Sequence, residues 1–137
     1  MHFFFEISIP KNKTEILPHT EILKLSSGVI THVTIYIPRG HAGLAHLQLL
    51  YHEHQLYPLN PGGSYRGNET TIDFAEYQPI IVSPYELKAR AWNDDDTYAH
   101  SFLVGIAVQR PEEMGQDIPA TSLQALQDLI GLDIGGE

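Results

Sequence analysis

Between Glu86 and Gln109, apolar and polar side chains alternate along two arms. In the second arm Tyr98, His100, Phe102, Val104, Ile106 and Val108 take every other position. Ala99, Ser101, Gly105 and Ala107 lie between them, with Leu103 the single large exception. In the first arm Leu87, Ala89 and Ala91 alternate with Lys88, Arg90 and Trp92. A period of two is what a half-buried strand requires, because successive side chains point to opposite faces. Asp and Asn are depleted in strands and favoured in turns. The spacing therefore predicts a hairpin, Glu86–Asn93 and Tyr98–Gln109, joined by the polar tip Asp94-Asp95-Asp96-Thr97.

The rest of the chain follows the same rhythm. Residues 3–9 read as a strand broken by Pro10-Lys11-Asn12-Lys13, and residues 20–25 as a short pairing segment ending at Ser26-Ser27-Gly28. From Val29 to Ile37, Val29, Thr31, Val33, Ile35 and Ile37 share one face, and Ile30, His32, Thr34 and Tyr36 the other. Its β-branched residues disfavour a helix and suit a pleated surface. Leu44 to Leu56 fits either a strand or a helical stripe. Its turn-rich flanks and the strands around it favour one strand, with His46, His52 and His54 on a common face. Tyr57–Asn68 reads as a surface loop, with Pro61-Gly62 set for a type II turn. Thr70–Phe74 is a short strand, and Pro79 and Pro84 limit the segment after it. Past Pro111, Thr121-Ser122 is expected to cap a short helix whose stripe is Leu123, Leu126, Leu129 and Ile130, stopped by Gly131.

About seven or eight short strands separated by turns, with one terminal helix, point to an all-β fold. The expectation is an antiparallel β-sandwich of jelly-roll type over residues 1–110. Residues 111–137 are expected to form an acidic tail with a short amphipathic helix.

Composition narrows the function classes. With 17 acidic and 8 basic residues the formal charge is −9, and no Lys/Arg cluster breaks that sign. Such a surface repels phosphate backbones, so no nucleic-acid partner is expected. No apolar run approaches the roughly 20 residues that span a bilayer, and the apolar opening lacks a basic n-region. Neither a membrane partner nor a secretion signal is therefore expected. The chain has no cysteine, which removes disulfides and thiolate metal sites.

The candidate chemistry is sparse. His52-x-His54 with His46 on one strand face has the spacing of a shared metal site, as in a cupin-like isomerase or dioxygenase. A cupin would supply a Glu shortly after the second histidine, but Gln55-Leu56-Tyr57-Pro58-Leu59 stands there. The aspartates of the 94–97 tip lack a glycine-spaced loop and a distal Glu, so they read as caps on backbone amides rather than calcium ligands. Gly63-Ser64-Tyr65-Arg66-Gly67 is not a nucleophile elbow, its serine following the first glycine directly. Neither a catalytic residue nor a cofactor is expected. Aromatic residues in or beside loops, Tyr57 and Tyr65 among them, suit a protein interface or a carbohydrate-binding module.

The order of segments resembles small jelly-roll accessory capsid and decoration proteins of tailed phages and virus-like particles. The matching phrases are Gly28-Val29-Ile30 entering a strand and Ile37-Pro38-Arg39-Gly40 leaving it. Gln55-Leu56-Tyr57-Pro58 before a glycine loop, and Trp92-Asn93-Asp94-Asp95-Asp96-Thr97 with His100, complete the likeness. The resemblance implies a non-enzymatic virion subunit that self-associates, with a trimer favoured, on a larger lattice such as a capsid. Outside a virion the expected location is cytoplasmic. Contact residues are expected at Tyr57, Tyr65 and Arg66 and along Leu123, Leu126, Leu129 and Ile130.

Overall fold

The computed structural model describes residues 1–110. Eight strands run in the order β1 (His2–Ile9), β2 (His19–Lys24), β3 (Gly28–Ile37), β4 (Ala45–Tyr51), β5 (His54–Tyr57), β6 (Thr70–Ile80), β7 (Glu86–Asn93) and β8 (His100–Gln109). They build two antiparallel sheets of four strands, ordered β1-β8-β3-β6 and β2-β7-β4-β5, which pack as a β-sandwich. The expected C-terminal helix, with Leu123, Leu126, Leu129 and Ile130, lies outside the described residues. Among the described residues no helix is long and apolar enough to cross a membrane.

Alternation decides which residues fill the core. In β8 Phe102, Val104, Ile106 and Val108 are buried. In β3 Val33, Ile35 and Ile37 are buried while His32 and Tyr36 face out. The register of β3 shifts between Ile30 and His32. That bulge turns Ile30 into the core, where strict alternation from Val29 would have placed it outside. From the second sheet Leu23, Leu47, Leu49 and Leu87 enter the core, with Ala45, Ala89 and Ala91 between them. Small residues beside large ones let the two layers interdigitate.

The expected hairpin between the arms of 86–109 does not form. β7 pairs with β2 and β4, whereas β8 pairs with β1 and β3. Residues 94–99 instead cross from one sheet to the other, a separation of roughly 10 Å in stacked sheets. Each arm buries a continuous apolar face and takes a central place in its own sheet. Antiparallel alternation alone is blind to that choice of partner.

The single strand expected over Leu44–Leu56 is also corrected. It is a strand rather than a helix, but it folds back at His52-Glu53 into β4 and β5. Both turn residues have positive φ, 50° and 68°. This is the left-handed pairing a two-residue hairpin needs, and it is normally supplied by Asn-Gly. The Asn60–Gly63 turn matches expectation, with Gly62 at φ 77° and Gly63 N–H donating to the Asn60 carbonyl at 2.9 Å.

Candidate functional site

Strand directions bring the four longer connections, 10–18, 38–44, 58–69 and 94–99, to one end of the sandwich. Backbone hydrogen bonds join them: Asn12 N–H to Asp95 O (2.8 Å), Asp94 N–H to Leu44 O (2.9 Å) and Gly43 N–H to Gly67 O (2.9 Å). Two imidazole networks sit beneath these loops. In the first, His46 Nε2 donates to Asp94 Oδ2 at 3.0 Å, and Nδ1 accepts the Ser64 hydroxyl at 2.8 Å. The His46 ring lies parallel to Trp92, 4.9 Å away and 9° inclined. His46 is 8% exposed with both nitrogens engaged, so it ties the 58–69 loop to the 94–99 loop. Arg90 stacks over Trp92 at 5.1 Å and reaches Gln48 Oε1 and the Glu15 carbonyl.

In the second network His100 Nε2 donates to Asp95 Oδ2 at 2.8 Å. Asp95 Oδ1 also accepts the Thr97 and Tyr98 N–H groups. The Thr97 amide first, and His100 next, hold the Asp95 carboxyl below the usual carboxylate range. The aspartate tip therefore caps backbone amides, as its composition suggested. His41 packs on His100 with centroids 4.6 Å apart and donates Nε2–H to Ser101 O at 2.8 Å. Its Nδ1 is buried with no hydrogen-bond partner among the described residues. Burial first, and nearby His100, lower its pKa from the ordinary histidine value against the opposing pull of the Ser101 bond.

The three histidines considered as metal ligands are not brought together. His46 is on β4, His52 occupies the turn and donates to Val82 O at 3.1 Å, and His54 opens β5. Among the described residues no group of three His, Cys, Asp or Glu side chains is placed to hold a metal. Of the expected contact residues, Arg66 is exposed and Tyr65 half-buried. Tyr57 ends β5 inside the core at 3% exposure, because the loop begins one residue later than the sequence suggested.

The opposite outer face, that of β1-β8-β3-β6, is unusual. The register aligns Phe4 with Gly105 and Thr34, and Glu6 with Leu103 and Tyr36. Phe4 is 79% exposed, and Tyr36 and Leu103 are exposed beside it. Together with Phe5, Glu6, Thr34, Val104 and Gly105 they line a concavity of about 500 Å³. Gly105 forms its floor, because a Cβ there would meet Phe4 Cε1 at 3.2 Å. At one end of the patch His32 bonds Asp73, which also accepts Thr34 Oγ1–H at 2.8 Å. Those two hydrogen bonds, Thr34 first, lower the Asp73 pKa.

The sequence did carry a signal for this face. Phe3-Phe4-Phe5 cannot bury all three rings in one strand, since alternate residues point outward. Comparison with known proteins finds no family model and no characterised protein that matches this chain.

Proposed function

We propose that this protein is a non-enzymatic structural subunit of jelly-roll type that self-associates through its β1-β8-β3-β6 face and decorates a larger lattice such as a capsid. The exposed Phe4–Tyr36–Leu103 patch around Gly105 carries this reading. An outer sheet face in a sandwich is ordinarily polar, and a contiguous apolar concavity marks a partner surface.

A second copy is the occupant that fits the charge. The chain is strongly acidic overall, yet among the described residues this face holds only Glu6 and Asp73 as acidic side chains, and Asp73 is hydrogen-bonded by His32. Two copies can meet here without the repulsion that operates elsewhere on the surface. Glu6 lies on one side of Phe4 and His2 on the other along β1, so neighbouring copies in a closed ring can set the carboxylate of one against the imidazole of the next. The jelly-roll part of the proposal draws support from the strand order, in which the first and last strands are neighbours and every consecutive pair except β4–β5 changes sheet.

Native mass spectrometry of the full-length chain tests the reading. A closed oligomer, a trimer or another ring, that falls to monomer in Phe4→Ser with an unchanged circular dichroism spectrum supports it. A wild-type monomer across the micromolar range overturns it.

A further inference from the structure

At the open edge of the sandwich, β5 and β6 end their respective sheets and face each other without pairing. Tyr57, Tyr65, Phe74 and Glu76, with Pro58 and Leu59, line a concavity of about 330 Å³ there. That volume lies at the small end of the roughly 300–1,000 Å³ typical of ligand pockets. The Tyr57 and Phe74 rings are 5.4 Å apart and inclined by 57°, so they form two walls rather than a flat platform. Tyr65 adds a third aromatic side chain to the lining.

Two polar groups bear on the chemistry of this pocket. The Tyr57 hydroxyl is buried with no partner at normal hydrogen-bond distance among the described residues, and the acceptor it approaches is the Glu76 carboxylate. Glu76 spends one oxygen on the Tyr77 N–H at 2.8 Å, and none of the ion pairs between described residues uses it. Burial, then the Glu76 carboxylate, push the pKa of Tyr57 and Tyr65 upward. The pocket therefore combines π faces with one carboxylate that no cation among the described residues pairs in an ion pair.

We infer that this pocket binds an alkylated ammonium group, with the aromatic rings taking its methyl shell and Glu76 balancing its charge. The chemistry of the walls selects that class. Aromatic faces attract cations through the ring quadrupole, most strongly where water is excluded. A flat sugar needs an exposed platform, and inclined walls do not offer one. A divalent metal needs several oxygen ligands, whereas the pocket supplies one carboxylate. The overall charge of −9 draws cations toward the surface. This inference is independent of the self-associating face, whose patch lies on the outer side of the β1-β8-β3-β6 sheet, whereas Phe74 of β6 packs against the core.

Titration calorimetry on the full-length protein tests it, using choline, its neutral isostere 3,3-dimethylbutanol, and a short peptide carrying trimethyl-lysine. Saturable choline or peptide binding, with the neutral isostere at least about tenfold weaker, is expected. The tighter of the two cations shows whether the ammonium belongs to a small molecule or to a partner's side chain. Glu76→Gln and Phe74→Leu should each weaken the cation by about tenfold, with thermal melts confirming that they fold. Equal binding of cation and isostere, unchanged affinity in Glu76→Gln, or no binding of either cation overturns the inference.

Discussion

Asp94 and Asp95 are neighbours in sequence, yet each serves a different histidine. Asp94 Oδ2 holds His46 at 3.0 Å on one side of the loop, and Asp95 Oδ2 holds His100 at 2.8 Å on the other. The division is unequal. Asp94 is exposed, whereas Asp95 is buried and also binds two backbone amides. Asp95→Asn exchanges one acceptor oxygen for a donor against N–H groups that need acceptors. It should lower Tm by several degrees, and Asp94→Asn by much less; differential scanning calorimetry on the two variants compares them.

Asp95 also sets the sign of the acid limb of stability. Its folded pKa lies below its unfolded value, so its contribution is complete above about pH 4 and is lost as pH falls through the folded value. Acid titration followed by circular dichroism should place unfolding below pH 4 in the wild type. In Asp95→Asn the slope in that window should flatten.

His41 acts in a higher window. Its folded pKa is lowered, so the unfolded chain binds its proton first and stability falls as pH drops below about 6.5. Urea midpoints at pH 7.5 and 5.5 should differ in the wild type. The difference should shrink in His41→Gln, which keeps a side-chain donor for Ser101 O but does not titrate.

The β4–β5 turn carries removable strain. His52 and Glu53 both have positive φ, a conformation costing roughly 1–2 kcal/mol for an ordinary L-residue. Replacing them with Asn-Gly relieves that cost. It also removes the partly exposed Glu53–Lys88 ion pair, worth at most about 1 kcal/mol, and the His52 Nε2–H bond to Val82 O, worth about 1 kcal/mol. The net expectation is a stabilisation of about 1 kcal/mol in urea denaturation.

Gly105 separates folding from association. An added methyl presses on Phe4, but that ring is mostly exposed and free to swing, so Gly105→Ala should leave stability nearly unchanged. The methyl would raise the floor of the concavity and displace the Phe4 ring, and the oligomer seen by sedimentation velocity should weaken. Leu47→Ala is the opposite control, because Leu47 is fully buried, and it should cost about 2–5 kcal/mol.

The strands were legible because their chemistry is local. Val33, Ile35 and Ile37, or Phe102, Val104 and Ile106, declare an inner face whatever they pair with. What β7 pairs with is a non-local choice, decided by β2 and β4 rather than by the short polar link to β8. The His52-Glu53 reversal was hidden for another reason. Histidine enters the left-handed region more readily than most residues, but glutamate does not, and His-Glu is not one of the usual Asn-Gly or Asp-Gly turn pairs, so the turn set by Tyr51 pairing with His54 leaves no compositional mark. Losing that turn made His46, His52 and His54 look like one row. In the candidate sites, Tyr57 and Tyr65 stood out as aromatics, but Phe74 and Glu76 joined them only once β6 lay beside β5.

One consequence of the topology concerns synthesis. β8 is the last strand described, and it sits between β1 and β3, with the Met1 amino group bonded to Val108 O at 2.8 Å. The first sheet is therefore split until that strand arrives. A nascent chain halted before His100 holds β1 beside an empty lane, its apolar inner face open to chaperones and to other nascent chains. Folding on the ribosome must wait until β8 has emerged, and β1 and β8, the first and last described strands, close the sheet together.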